Sequence, residues 1–144
     1  MRNRDLVFLL AFAAPSCQTH DVNTKSTETG SSKAQGVVSA MVDAYNRHEA
    51  DSAAAAYAPD VKFYHFPGQP FLEGRDAVRT RFQKAFSDAP NVQVEVAPRL
   101  VHGRFVIDQE NISGLSGGKT VVAVWIYEVR NGLIVQAWRL PDEE

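Results

Sequence analysis

Hydrophobic spacing along this chain switches between three-to-four and two, and each switch marks a change of element. Val38, Met41, Val42 and Tyr45 recur at i, i+3, i+4 and i+7, with Asp43, Asn46 and Arg47 outside that stripe. This is one face of a helix. Asp51 is placed to cap a second, short helix over 52–57, which Pro59 ends. Over 61–66 the spacing falls to two: Val61, Phe63 and His65 point one way, Lys62 and Tyr64 the other. Pro67-Gly68 and Pro70 predict a rigid turn.

A third helix is predicted over 75–86, burying Val78, Phe82, Ala85 and Phe86, with Asp76 at its positive end. After Asn91 the period is two throughout. Val92, Val94 and Val96 alternate with polar residues, and Pro98 predicts a bulge or an edge. Strands follow over 104–113 and 119–130, and Asn131-Gly132 is a strong hairpin signal that returns the chain as Leu133–Arg139. Three helices followed by a four-strand antiparallel meander predict an α+β domain over 36–144.

The N-terminal segment is different. Arg2 and Arg4 precede nine apolar residues, LVFLLAFAA, then Pro15, Ser16 and the lone cysteine, Cys17. A basic start, a short apolar run and small residues describe an export signal over 1–16. The apolar run is too short to cross a bilayer, which takes about 20 residues. A cysteine directly after it resembles the lipidation site of bacterial lipoproteins. Residues 17–35 hold a single aliphatic side chain larger than alanine, Val22, and are expected to form a flexible tether. The expected location is outside the cytoplasm, periplasmic or at the cell surface, on a lipid anchor at Cys17.

With a net charge of −2 and no run of Lys or Arg, the chain lacks the footprint of nucleic-acid binding. The histidines have no metal-ligand spacing, and no nucleotide-binding loop or nucleophile elbow is present. No metal and no cofactor are expected.

The helix–helix–strand order, Tyr57-Ala58-Pro59-Asp60-Val61, Gly68 with Glu73-Gly74-Arg75, and Tyr127 to Ile134 (YEVRNGLI) resemble the nuclear-transport-factor-2-like superfamily. Within it the SnoaL-like and steroid isomerase-related branch is the nearest match, over 37–140. The resemblance implies a curved, mostly antiparallel sheet rolled with the three helices into a cone around an apolar pocket. It fixes no reaction, because this fold hosts many. Laid onto this chain, the steroid isomerase pattern puts the base at His65, the helix tyrosine at Met41 and the meander aspartate at Trp125. All three are replaced, and Tyr45 lies one helical turn from Met41.

Candidate chemistry is therefore thin. His65 is either a general base in an apolar pocket or a histidine bonded at the pocket wall. Asp108 and Glu110 share a strand face. They form an acid/base pair if that face lines the pocket, and a wet surface with Arg104 as partner if it does not. Met41, Tyr45, Phe63, His65, Phe82, Trp125, Tyr127 and Trp138 are the expected lining. The opposite face of the long strand, Val122, Val124 and Ile126, is also apolar and predicts a homodimer. The function expected is binding of a small apolar molecule; the alternative is an enzyme with His65 as base, doing isomerase, hydratase or hydrolase chemistry.

Overall fold

The computed structural model describes residues 24–142. Three helices, α1 (Thr24–Asn46), α2 (Ala50–Ala55) and α3 (Arg75–Asp88), pack on one six-stranded sheet. Its strands are β1 (Tyr57–His65), β2 (Gln69–Glu73), β3 (Gln93–His102), β4 (Phe105–Ser113), β5 (Val121–Arg130) and β6 (Leu133–Arg139), in the order β2-β1-β6-β5-β4-β3. Strands β3 to β6 form the expected antiparallel meander, while β1 joins β6 in parallel. The α+β class expected from the order of periodicities is the one observed.

Alternation decides the faces. Val61 and Phe63 of β1, Val106 of β4, Ala123 and Tyr127 of β5 and Ala137 of β6 are buried against the helices. Val38, Met41, Val42 and Val78 meet them from α1 and α3. Asn131 and Gly132 both adopt positive φ, 51° and 77°, as a two-residue hairpin requires. The ladder slips between Val96 and Arg99, around Pro98, and again between Glu128 and Val129. Tyr127, Glu128 and Val129 are all buried, and Arg104 and Arg130 close on the Glu128 carboxylate at 2.7 and 2.8 Å. Arg104 therefore serves Glu128 and not the Asp108–Glu110 pair it was expected to face.

Two seams hold the helices to the sheet. Asn46, the last residue of α1, mimics a strand: its Nδ2 donates to the Val94 carbonyl at 2.8 Å and its Oδ1 accepts from the Val94 N–H at 2.7 Å. Arg75, first in α3, donates through Nε to the Tyr57 carbonyl at 2.7 Å. Gly74 before it has φ 92°, so the Glu-Gly-Arg-Asp segment is a structural joint.

Several expectations are corrected. The tether was expected to reach residue 35, but α1 starts at Thr24. Ala34 is fully buried and Ser31 Oγ accepts from the Gly103 N–H at 3.1 Å, so tertiary contacts order a segment of weak local propensity. Residues 69–73 form a strand paired to β1 where a turn was expected. The export signal, Cys17 and residues up to 23 lie outside the described residues. On the outer sheet face Val122 and Leu100 are 53% and 62% exposed.

The turn after β4 approaches the loop after α3 closely. A Cβ on Gly114, at φ +71°, would lie 1.8 Å from the Asn91 carbonyl oxygen, whereas one on Gly117, at φ +78°, would meet nothing. Gly117→Ala is expected to cost about 1 kcal/mol for the left-handed backbone alone. Gly114→Ala is expected to cost clearly more, since the backbone itself must move. Urea denaturation of the two variants checks this; equal losses would refute the close approach.

Candidate functional site

Between α1, α3 and the concave face of β3–β6 lies a cavity of about 430 Å³, within the range of small-molecule sites. Met41 and Tyr45 reach it from α1, Phe82 from α3, Phe63 from β1, and Trp125 and Tyr127 from β5. The aromatic wall is continuous: Tyr45 meets Phe82 edge-on at 5.1 Å, Phe63 meets Trp125 edge-on at 5.9 Å, and Trp125 stacks on Tyr127 at 6.1 Å. These six residues are among those the sequence nominates for the lining.

The other two nominees, His65 and Trp138, lie elsewhere. β1 outruns the helices before it reaches His65, which is exposed and stacks on Phe71 at 4.3 Å. His65 is not among the residues that line the cavity. Trp138 points to the outer face, where it stacks on Tyr64 at 5.8 Å. It neighbours Ile126 across the β5–β6 pair, on the side opposite Trp125.

Asp108 and Glu110 face inward, between Val106 and Ile112, and are buried. They do not act as one pair. Asp108 receives both Nε and Nη2 of Arg99 at 2.7 Å, and Arg99 Nη1 donates to Ser39 Oγ on α1. A bidentate clamp of this kind compensates a charge taken fully out of water. Asp108 thereby ties sheet to helix and does not line the cavity.

Glu110 does. Its Oε1 accepts from Tyr127 Oη at 2.8 Å, and among the described residues nothing donates to its Oε2. Burial pushes its carboxyl up from 4.5 to about 7; the Tyr127 hydrogen bond opposes the rise and the Asp108 charge adds to it. The Tyr57 and Tyr127 hydroxyls are pushed well above their ordinary value of 10, and Tyr45 is raised, by burial first and the Glu110 charge second. Three of the chain's four tyrosines thus converge on one carboxyl. The hydroxyls of Tyr45 and Tyr57 donate to no described residue, so both remain available to a guest.

Tyr57 was not nominated. It begins β1 immediately after α2, four residues before the alternation becomes visible, and only the parallel pairing to Ile134 shows which way it points. Among the described residues, no three His, Cys, Asp or Glu side chains gather in a group able to hold a metal ion.

Comparison with known proteins agrees with this architecture. A family model described as a SnoaL-like domain matches residues 38–137. No curated protein matches by sequence. Among solved structures, an uncharacterised cystatin-fold protein from Novosphingobium aromaticivorans superposes with TM-score 0.68 at 18% identity, over 75% of this chain and 97% of that one. An epoxide hydrolase from M. tuberculosis does so with TM-score 0.67 at 16% identity, over 78% and 84%. A SnoaL-like protein of unknown function from Burkholderia thailandensis gives 0.63 at 19% identity, over 75% and 92%. At these identities the likeness is one of fold.

The raised Glu110 carboxyl sets a pH dependence. Below about 4.5 it is protonated whether the chain is folded or not. As pH rises to about 7 the unfolded chain loses this proton and the folded one retains it, so stability falls across that window. Glu110→Gln is expected to remove this fall, and urea midpoints measured from pH 4.5 to 8 check it. Parallel wild-type and variant profiles would contradict the assignment.

Proposed function

This chain belongs to the SnoaL-like domain family, and we propose that it is an exported domain that binds a small, largely apolar molecule in the cone. The observation that carries this reading is the unsatisfied chemistry at the cavity wall. One Glu110 oxygen and two tyrosine hydroxyls stand open on a largely apolar wall. A guest with one oxygen function and an apolar body would pair with them.

A second reading shares the site. A carboxyl near 7 exchanges protons readily in both directions at neutral pH. Tyr127 orients it, and Tyr57 and Tyr45 are placed to support oxygen on a guest. This moves the role of general acid/base from His65 to Glu110, and the reaction class is proton transfer on a bound apolar substrate. The M. tuberculosis protein of the same fold is an epoxide hydrolase.

The apolar outer face, with Val122 and Leu100 exposed, supports a homodimer formed through the meander. The export reading rests on the N-terminal pattern of Arg2, Arg4 and nine apolar residues before Cys17.

Ala123 is buried at the cavity wall, and Ala123→Phe is expected to fill the space and weaken a bound apolar probe by at least about tenfold. Native mass spectrometry and probe titration read this, and unchanged affinity would place binding elsewhere. Where a turned-over substrate is found, Glu110→Gln is expected to lower kcat by about 10²-fold or more, with His65→Ala unchanged; the reverse pattern would restore His65. Sedimentation should give the mass of two chains, and Val122→Glu that of one. Cys17→Ala should release the protein from membranes, and retention would refute the anchor.

A further inference from the structure

The cavity has a charged rim at one end of the sheet. Arg139 closes β6, where it pairs across with Trp125 of the aromatic wall and alongside His65 of β1. Arg81 reaches the same end from α3, with its guanidinium 5.7 Å from the centre of the Phe71 ring on which His65 stacks. Both arginines line the cavity.

Neither is fully engaged. No described residue supplies a carboxylate or other acceptor to Arg81. Arg139 gives Nη2 to Asp142, an exposed partner, at 2.8 Å. Its Nε is buried without an acceptor. Every other cation beside the cavity is paired: Lys84 holds Asp88 at 2.6 Å. The mouth therefore carries three cations, Arg81, Lys84 and Arg139, against two carboxylates, Asp88 and Asp142. Elsewhere the protein clamps its inner arginine, Arg99, with two hydrogen bonds to Asp108. Leaving Arg81 and Arg139 open at the edge of an apolar cavity departs from that pattern.

We propose that the ligand class is an amphiphilic carboxylate, its acid group held at the rim by Arg81 and Arg139 and its apolar body against Trp125, Phe63 and Phe82. The inference rests on the binding reading above and adds the identity of the head group. Guanidinium groups match carboxylates in charge and in planar geometry, and a half-buried guanidinium gains more from such a partner than an exposed one. An amine ligand, which the aromatic wall would also accept, meets net positive charge at the entrance. A second oxygen function on the body reaches Glu110, whose register partner Ala123 lies one inward-facing position along β5 from Trp125.

Naphthalene-2-carboxylate and its methyl ester share one body and differ only in charge. Titrated into the wild-type protein, the acid is expected to bind about tenfold more tightly than the ester, the range of a charge-assisted pair. In Arg81→Gln and in Arg139→Gln the preference should shrink while ester binding persists, which also reports that each variant is folded. Equal binding of acid and ester to wild type, or a preference that survives in both variants, would overturn the carboxylate assignment and leave the pocket intact. If neither compound binds, the pocket reading falls with it.

Discussion

A carboxylate taken out of water must find its compensation inside the protein, and this sheet holds three. Asp108 is answered by the fork of Arg99, Glu128 by Arg104 and Arg130, and Glu110 by a single phenol. The first two are met by guanidinium groups and act as rivets. Asp108 joins β3, β4 and, through Arg99 and Ser39, helix α1; Glu128 joins the turn after β3 to the end of β5. Only Glu110 has no cation at hydrogen-bond distance, and it is the one of the three that lines the cavity. Full compensation of all three would leave a sturdier domain with nothing to offer a guest.

The shape of the cavity follows from irregularities in the sheet. Slips at Phe63/Tyr64, Val96/Arg99 and Glu128/Val129 break the ladder on three strands and increase local twist. The curved sheet wraps α1 and α3 without closing on them, and the aromatic side chains meet edge to face across the remaining space. Tyr127 illustrates the coupling: it stands one residue before a slip and on the inner face, and its hydroxyl reaches Glu110, four residues along β4 from its own register partner, Val106.

Much of this fold is legible in the sequence, and the limits have physical reasons. The order of elements, the Asn131-Gly132 hairpin and the break at Pro98 are local signals, and each stands where the periodicity puts it. Alternation also says that Asp108 and Glu110 share a face, but parity carries no sign. Whether that face is wet or buried depends on Arg99, which meets Asp108 only after the chain has turned. His65 misleads for a related reason: a strand's period continues to its last residue, while the helix layer covering it stops earlier. Tyr57 and the first turns of α1 are invisible because their order comes from Ile134, Arg75, and the turn after β3, all distant in sequence.

The parallel pairing of β1 with β6 places the last strand in the middle of the sheet. Phe63 finds its neighbour Ala137 only after nearly the whole domain has been made, so the sheet cannot be completed in the order of synthesis. Until β6 arrives, the β1–β2 hairpin and the β3–β5 meander are separate pieces, each with an open edge. Contacts so far apart in sequence delay folding. The topology itself therefore keeps the sheet open until its final strand is free.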